Sequence, residues 1–166
     1  FVTGKAPNKS GNNHPILAPY GIFKTSDGEI AVAPASDKFC RIFLECIDLT
    51  NLLENELYKN NSNRMKNRDS LNEIVNKRMI SETSDFWIKK LNKAGCPAAK
   101  IVSLPEALNS QLIQDNEMVI NSNGPEGRQI KMTGFPVKLS DTPSKLYRSP
   151  PLLGEHTKEI LKTIKK

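Results

Sequence analysis

The stretch GNNHPILAPYGIFKTSDGEIAVA, residues 11–33, decides how the fold of this chain is predicted. Its second half places two apolar runs on either side of an Asp-Gly pair, which is typical of a β-hairpin. We expect Gly28 to adopt the positive φ that a tight hairpin turn demands. Its first half holds a Gly-Asn-Asn-His run and a Pro-Tyr-Gly turn, which raises the question of whether an active site begins here.

Three helices with a buried face are predicted after the hairpin, in the segments SDKFCRIFLECI, DSLNEIVNKRMIS and TSDFWIKKLNKAG. Each begins with capping residue types, and Gly95 ends the third helix. The expected caps are Ser36 for the first helix, Asp69 or Ser70 for the second, and Thr83 or Ser84 for the third. The side chains expected to face inward are Phe39, Ile42, Phe43, Cys46, Ile47, Leu71, Ile74, Val75, Met79, Phe86, Trp87, Leu91 and Ala94.

The segment DLTNLLENELYKNNSNRMKNRD lies between the first two of these helices. It predicts a short helix that runs into a mobile, asparagine-rich loop. The basic run at residues 60–68 is interpreted as solvated surface rather than as a binding site.

The second half of the chain predicts short strands and helices. CPAAKIVS is expected to form a strand, LPEALNS a short helix, and EMVINSNGPEGRQIKMTGFPVKLS two strands around a turn. Proline restricts DTPSKLYRSPPLLG to an extended form, and EHTKEILKTIKK predicts a last helix with Ile160, Leu161 and Ile164 inward. Helices grouped in the first half between antiparallel strand pairs indicate an α+β fold rather than a doubly wound sheet.

Composition excludes several classes of protein. The net charge is +6, but the few aromatic residues are not interleaved with the basic ones, so the stacking platforms of single-strand binders are missing. We therefore expect no nucleic-acid partner. No apolar run has the length of a membrane span, so we expect no membrane partner either.

Three cysteines, Cys40, Cys46 and Cys96, show no CxxC spacing. Such an odd, unpatterned set predicts neither a disulfide framework nor a zinc site, and no metal site is expected elsewhere. We interpret the cysteines as small apolar residues of a protein in a reducing, cytoplasmic compartment.

Only two histidines, His14 and His156, are available for acid–base chemistry, and they lie near opposite ends of the chain. No GxSxG, HExxH or paired-carboxylate motif is present. Three polar clusters remain, at residues 11–14, 36–38 and 154–157. Each taken alone is explained as a turn or a helix cap, so spacing by itself identifies no catalytic residue.

Taken together, four blocks of the sequence resemble family III CoA-transferases, the CaiB/BaiF family. GNNHPILAPYGIFKTSDGEIAVA is similar to the segment that follows the first domain of this family. LNKAGCPAAKIVSLPEAL is similar to a later strand and its following helix, and QDNEMV stands where a methionine motif follows. GFPVKLSDTPSKLYRSPPLLGEHTKEIL is close to the carboxyl-terminal signature, and the blocks keep their order.

This resemblance implies an enzyme that transfers CoA between an acyl-CoA thioester and a carboxylic acid. The family fold combines a Rossmann-like domain with a small α+β domain, and two chains interlock as a homodimer. Its nucleophile is an aspartate of the first domain, which forms an acyl anhydride and then a thioester with CoA. No catalytic residue is therefore assigned to this chain; Asp27 matches a hairpin turn and Asp37 a helix start.

The resemblance also implies domain bounds and binding residues. Residues 1–15 are expected to be an interdomain linker, 16–138 a small α+β domain, and 139–166 a return segment with the last helix. The chain, which begins at Phe1, is interpreted as a carboxyl-terminal fragment that is inactive alone. CoA thioesters act as substrates and no cofactor is bound permanently. The expected CoA-binding residues are His14, Pro15, Ile16, Leu17, Ala18, Gly154, Glu155 and His156.

Two alternatives stay open. In the first, the longer protein from which this fragment comes is a 2-methylacyl-CoA racemase. In the second, the chain is a non-catalytic remnant or interaction module. Residues 14–18 lack the glycine run of formyl-CoA transferase, which argues against formyl or oxalate specificity. Ser36 stands where racemases of the family carry a glutamate, which argues against the racemase. Neither sequence feature identifies the acyl group.

Overall fold

The computed structural model describes residue 4, residue 6 and residues 9–164, without the side chain of residue 126. It confirms an α+β architecture with two antiparallel sheets. The chain divides into two compact units, Phe1–Ile101 and Val102–Lys166. Parts of the predicted linker, at residues 1–3, 5, 7 and 8, lie outside the described residues, as do the last two lysines.

The first unit contains the predicted hairpin as part of a three-stranded sheet. Strands β1 (Gly21–Lys24), β2 (Glu29–Val32) and β3 (Ala98–Lys100) are antiparallel in the order β1-β2-β3. The prediction for Gly28 is wrong, because its φ lies outside the positive range. Four residues join β1 to β2, closed by a 2.9 Å hydrogen bond from Thr25 N to Gly28 O, so no two-residue turn is needed.

Four helices lie between β2 and β3 in the sequence: α1 (Asp37–Cys46), α2 (Asn61–Lys66), α3 (Arg68–Met79) and α4 (Ser84–Lys93). The cap of α1 is confirmed, since Ser36 Oγ accepts a hydrogen bond from Phe39 N at 3.3 Å. Thr83 caps α4 in the same way, and Gly95, at a φ of 83°, follows its end. Asn67, not Asp69 or Ser70, stands at the cap of α3.

The short helix predicted in the segment before α2 forms, but the prediction of a mobile, asparagine-rich loop after it is wrong. A 3₁₀ helix forms at Thr50–Leu53, and α2 occupies the part predicted as mobile loop. Asn60 caps α2, because its Oδ1 accepts a hydrogen bond from Asn63 N at 2.9 Å. Arg64, inside the supposed solvated run, is buried. The asparagines therefore begin a helix rather than form a flexible connection.

The core of the first unit lies between the sheet and helices α1, α3 and α4. Most side chains predicted to face inward are buried, but Phe86 is 45% exposed and Ala94 is exposed. Neighbouring positions on a helix point about 100° apart, and Trp87 takes the inward direction. Its Nε1 donates a hydrogen bond to Met79 O at 2.7 Å. The fully buried large side chains include Phe23, Ile30, Val32, Phe43, Leu44, Ile47, Leu71, Val75, Met79, Trp87 and Leu91.

The second unit contains α5 (Leu104–Leu108), α6 (Gln111–Asp115), strands β4 (Val119–Asn123) and β5 (Gln129–Thr133), and α7 (Thr157–Ile164). The predicted β4-β5 pair is confirmed as an antiparallel hairpin with a 3₁₀ turn at Pro125–Gly127. The sequence did not predict α6. The inward orientation of Ile160, Leu161 and Ile164 is wrong, since each is more than half exposed: the described part of this unit leaves that face of α7 uncovered.

Candidate functional site

Residues His14 to Ala18, here called the 14–18 segment, form a loop that is fixed to the start of β1. Asn13 forms an isolated antiparallel bridge with Gly21, and His14 N donates a 2.9 Å hydrogen bond to Tyr20 O. The His14 and Tyr20 rings stack with centroids 4.7 Å apart. The loop thus leaves the backbone ladder and returns to it within seven residues, which restricts its possible shapes.

The His14 ring takes part in the loop as a hydrogen-bond acceptor. Its Nδ1 lies 3.3 Å from Ile16 N, which donates to it. A neutral imidazole that accepts at Nδ1 carries its proton on Nε2. The loop therefore selects the tautomer in which Nε2 is a donor, the form suited to a carbonyl or phosphate oxygen.

Asn61, the first residue of α2, contacts the backbone of the loop at two points. Its Oδ1 accepts a hydrogen bond from Ala18 N at 3.1 Å, and its Nδ2 donates to Ile16 O at 2.9 Å. A carboxamide offers one acceptor and two donors in a plane, so it matches two backbone groups of opposite polarity.

Arg64, one turn further along α2, is the buried charge of this site, at 3% exposure. Its Nε donates to Ala18 O at 2.6 Å, and its Nη1 donates to Tyr58 O at 3.1 Å. Its Nη2 pairs with the carboxylate of Asp37, at the start of α1. Through three donors, this guanidinium of α2 thus binds the loop, the start of α1 and Tyr58, which precedes α2.

Two residues of α3 hold the first part of the loop. Arg68 Nη2 donates to His14 O at 2.8 Å, and Asn72 Nδ2 donates to Asn13 Oδ1 at 2.9 Å. Sequence reasoning missed Asn61, Arg64, Arg68 and Asn72 because their partners lie more than 40 residues earlier. The run Asn-Asn-Ser-Asn at residues 60–63, a helix-start composition, was the one local signal available.

Exposure separates the members of the 14–18 segment. Pro15 and Ile16 are exposed, the latter at 68%, whereas His14 and Leu17 are half-buried and Ala18 is buried. The two exposed apolar residues are therefore accessible to a ligand, while Ala18 is fixed through its backbone. Direct ligand contact by these residues stays a prediction.

The second predicted cluster, residues 154–156, precedes α7 in the other compact unit. Gly154 has a φ of 79°, a conformation that favours glycine. Glu155 Oε2 accepts a hydrogen bond from Leu152 N at 2.7 Å, so this carboxylate holds the turn. Half-buried His156 lines a cleft of about 410 Å³ together with Arg148 and Asn123.

A bidentate ion pair borders this cleft. Arg148 Nη1 and Nη2 donate to the two carboxylate oxygens of Glu159 at 3.0 and 2.6 Å. These hydrogen bonds and the mutual attraction raise the pKa of Arg148 and lower the pKa of Glu159. The 14–18 segment and residues 154–156 belong to different units and are two candidate sites.

The two aspartates near the hairpin have structural partners. Asp27 Oδ1 accepts hydrogen bonds from Ser84 N at 2.7 Å, Ser84 Oγ at 2.8 Å and Thr25 Oγ1 at 3.0 Å. The bonds from Ser84 lower the pKa of Asp27 most. Asp37 pairs with Arg64 as described above. Both carboxylates therefore serve contacts within the first unit.

The cysteines are free, and Cys40 and Cys96 are buried. Burial raises the pKa of Cys40 to about 11 and that of Cys96 to about 12. Within the described residues, no group of three or more His, Cys, Asp or Glu side chains is placed to hold a metal ion. None of the described helices has the length and apolar character that crossing a membrane requires.

Comparison with known sequences identifies similar proteins. The family model of CoA-transferase family III matches residues 1–157. Human succinyl-CoA:glutarate CoA-transferase is 30% identical over 164 residues, which cover 99% of this chain and 37% of that protein. Acetyl-CoA:oxalate CoA-transferase of Acetobacter aceti is 30% identical over 139 residues, or 84% of this chain and 34% of that protein. The chain thus spans little more than a third of the length of these relatives.

Solved structures have a similar fold. A CaiB/BaiF family protein from Brucella suis superimposes with a TM-score of 0.74 at 28% identity, over 98% of this chain and 42% of that one. A crystal structure from Mycobacterium tuberculosis gives a TM-score of 0.76 at 20% identity, over 86% of this chain and 39% of that one. The second similarity concerns the fold alone.

Proposed function

Since the chain belongs to CoA-transferase family III, we propose that it forms part of an enzyme that transfers CoA between an acyl-CoA thioester and a carboxylic acid. The family match over residues 1–157 supports this reaction class. The role of this chain within the enzyme is to present the 14–18 segment to the acyl-CoA.

The observation that carries this role is the way the 14–18 segment is built. Four side chains of α2 and α3 hold residues 13–18, while Pro15 and Ile16 remain exposed. Fixing a loop before the ligand arrives reduces the ordering cost of binding. The exposed apolar pair offers surface for the acyl or pantetheine chain, and His14 Nε2 offers a hydrogen bond to an oxygen.

The proposed reaction needs a carboxylate nucleophile. That carboxylate attacks the thioester carbonyl, the C–S bond breaks, and CoA leaves as a thiolate while an acyl anhydride remains. The thiolate then attacks the enzyme carbonyl of the anhydride, which gives an enzyme–CoA thioester and releases the first carboxylic acid. The acceptor carboxylate then attacks the enzyme–CoA thioester, which forms a second anhydride and releases the CoA thiolate. The thiolate attacks the acceptor carbonyl of this anhydride, so the new acyl-CoA leaves and the enzyme carboxylate is restored.

We assign this nucleophile to the remainder of the enzyme rather than to Asp27 or Asp37. Asp27 accepts two hydrogen bonds from Ser84 that fix the hairpin to α4 and a third from Thr25 within the hairpin, and Asp37 is the counterion of buried Arg64. Releasing either carboxylate for covalent chemistry would leave its donors without that acceptor. The chain by itself is therefore expected to be inactive.

Residues 154–156 are proposed as a second contact with CoA. Gly154, Glu155 and His156 precede α7, and the amino end of a helix favours anions such as phosphate. His156 is half-buried in a cleft that Arg148 also lines. Unchanged acyl-CoA binding after His156→Ala in the complete enzyme would exclude a direct contact.

The remaining features of the proposed enzyme follow the family resemblance. The complete protein is an interlocked homodimer, in which residues 1–15 link two domains, 16–138 form the small domain, and 139–166 return to the first domain. A cytoplasmic location is supported by the free cysteines, which suit a reducing compartment. Acyl-CoA and a carboxylic acid are its substrates.

The test compares this chain with the complete protein that contains it. Both are incubated with succinyl-CoA or acetyl-CoA and with glutarate, oxalate or mesaconate as acceptor, and new acyl-CoA is measured by mass spectrometry. We expect transfer by the complete protein and none by this chain. Transfer by the chain alone would refute the external nucleophile. Exchange of the α-proton of a 2-methylacyl-CoA in deuterated water without CoA transfer would favour the racemase. Absence of both exchange and transfer would favour a non-catalytic module.

A further inference from the structure

Alternate carbonyl groups of the 14–18 segment accept hydrogen bonds from side chains of helices α2 and α3. His14 O accepts from Arg68, Ile16 O accepts from Asn61, and Ala18 O accepts from Arg64. Every second carbonyl is thus bound to a side chain from the α2–α3 region. The loop receives its shape from these donors as well as from its own sequence.

Asn61 differs from the two arginines because it contacts two residues of the loop. Its carboxamide joins Ile16 O and Ala18 N and so spans Leu17. It therefore fixes the backbone on both sides of Leu17, directly after exposed Pro15 and Ile16. Asn61 and Arg64 are three residues apart on one helix, and side chains at this spacing share a face.

We propose that Asn61 is a positioning residue for acyl-CoA binding, which holds the 14–18 segment in the shape that the ligand meets. The ligand part of this inference rests on the proposed function. The chemistry requires a carboxamide, because one donor and one acceptor must act at the same time. A carboxylate at this position would keep the acceptor for Ala18 N and place negative charge against Ile16 O.

Asn92 supplies a matched control in the same unit. Its Nδ2 donates to Ala98 O at 3.0 Å and its Oδ1 accepts from Ala98 N at 3.0 Å. This is the same kind of two-bond contact between a carboxamide and the backbone, but it holds β3 instead of the 14–18 segment. Asn92→Ala therefore removes equivalent hydrogen bonds without touching the loop.

The first measurement needs no ligand. Amide hydrogen exchange of Ala18 is followed by NMR in the full chain, for the unaltered protein, Asn61→Ala, Asn61→Asp and Asn92→Ala. We expect exchange at Ala18 to accelerate about tenfold or more in Asn61→Ala and to stay unchanged in Asn92→Ala. Asn61→Asp should preserve most of the protection. Equal Ala18 exchange in Asn61→Ala and the unaltered chain would overturn the inference.

The second measurement uses succinyl-CoA and the complete protein, with binding followed by calorimetry and turnover by initial rates. Both Asn61 variants lose the hydrogen bond to Ile16 O, and this loss should weaken succinyl-CoA binding about tenfold, with a larger change in KM than in kcat. Asn92→Ala should lower the melting temperature by about as much as Asn61→Ala does, but it should leave succinyl-CoA binding unchanged.

The outcomes separate this inference from the proposed function. Faster Ala18 exchange with unaltered succinyl-CoA binding would show that Asn61 holds the loop without positioning it for the ligand, which overturns the inference. Equal weakening by Asn61→Ala and Asn92→Ala would also overturn it, since it would reveal a general stability effect. If the unaltered complete protein transfers CoA in the test above but Asn61→Ala behaves like it, the inference fails while the proposed function stands.

Discussion

Nε of Arg64 donates a hydrogen bond to the carbonyl oxygen of Ala18 across 2.6 Å, and thereby joins α2 to a loop 46 residues earlier. The same guanidinium binds Tyr58 O and the Asp37 carboxylate. A buried charge is stable only when its donors are satisfied, and here backbone and carboxylate acceptors share the guanidinium. One arginine of α2 therefore connects that helix to both the candidate binding loop and α1.

Arg64→Met should destabilise the first unit by about 2–5 kcal/mol, because it leaves two buried carbonyls without a donor. The measurement is urea unfolding followed by the fluorescence of Trp87, the one tryptophan of the sequence, which is fully buried in this unit. Arg41→Met is the matched control, since Arg41 is exposed on α1. It should change stability by about 0.5 kcal/mol or less. Equal effects of the two substitutions would contradict the role of Arg64.

The limits of sequence-based prediction follow from the distance between partners. The hairpin, the Ser36 cap and the Gly95 stop depend on residues within a few positions of one another, and all three were predicted correctly. Arg64 was assigned to a solvated surface because nothing near it in the sequence identifies Ala18 as its partner. Local patterns show which residues suit a helix start, but they do not show what that helix binds.

The 14–18 segment and the side chains that hold it differ in the same way in how far the sequence predicts them. The four family-like blocks placed the 14–18 segment at the end of a linker, and this resemblance also predicted the family. The side chains that shape the segment lie outside those blocks, on α2 and α3. The exposed face of Ile160, Leu161 and Ile164 is a related case, since apolar spacing predicts a face without naming what covers it.

Asp27→Asn should make the stability of the first unit less sensitive to acid. The folded-state pKa of Asp27 is lowered, chiefly by the hydrogen bonds from Ser84, so the ionised carboxylate favours the folded chain. That contribution is complete above the unfolded pKa of about 4 and is lost as the pH falls through the lowered folded pKa. The stability difference between the unaltered chain and Asp27→Asn should therefore shrink below about pH 4.

Urea midpoints measured from pH 6 down to pH 2.5 would check this expectation. Asp85→Asn is the control, because Asp85 lies in the first turn of the same α4 helix. A constant difference between Asp27→Asn and the unaltered chain over the whole range would mean that Asp27 does not contribute through its charge.

Cys46 should react with a thiol reagent before Cys40 and Cys96 do. Burial raises the pKa of all three thiols, but Cys46 is only half-buried, whereas Cys40 and Cys96 reach about 11 and 12. At pH 8, about one part in a thousand or less of the two buried thiols is ionised, and the thiolate is the reactive form. Labelling by site, measured by mass spectrometry, should show one fast modification, and Cys46→Ser should remove it. Rapid labelling of Cys96 in the folded protein would contradict the burial of its side chain.

Gly21→Ala should disturb the candidate loop, whereas Gly28→Ala should be tolerated. A Cβ at Gly21 would lie 2.6 Å from Asn12 O, so the backbone before the 14–18 segment would have to move. Small-to-large changes in such a close contact cost about 1–3 kcal/mol. A Cβ at Gly28 would lie 3.7 Å from Ser84 Oγ, an ordinary contact, and the φ of Gly28 is not positive. Alanine there should change stability by about 1 kcal/mol or less, because it meets only an ordinary contact and also reduces the freedom of the unfolded chain.

Two measurements distinguish these glycines. Urea unfolding should give a clear loss of stability for Gly21→Ala only, and exchange of the His14 amide, which is bonded to Tyr20 O, should accelerate in that variant alone. If Gly28→Ala cost as much as Gly21→Ala, the hairpin connection would need glycine after all, and the original expectation of a positive φ would be restored. If neither variant changed His14 exchange, the close approach of Asn12 to Gly21 would not be what fixes the entrance of the loop.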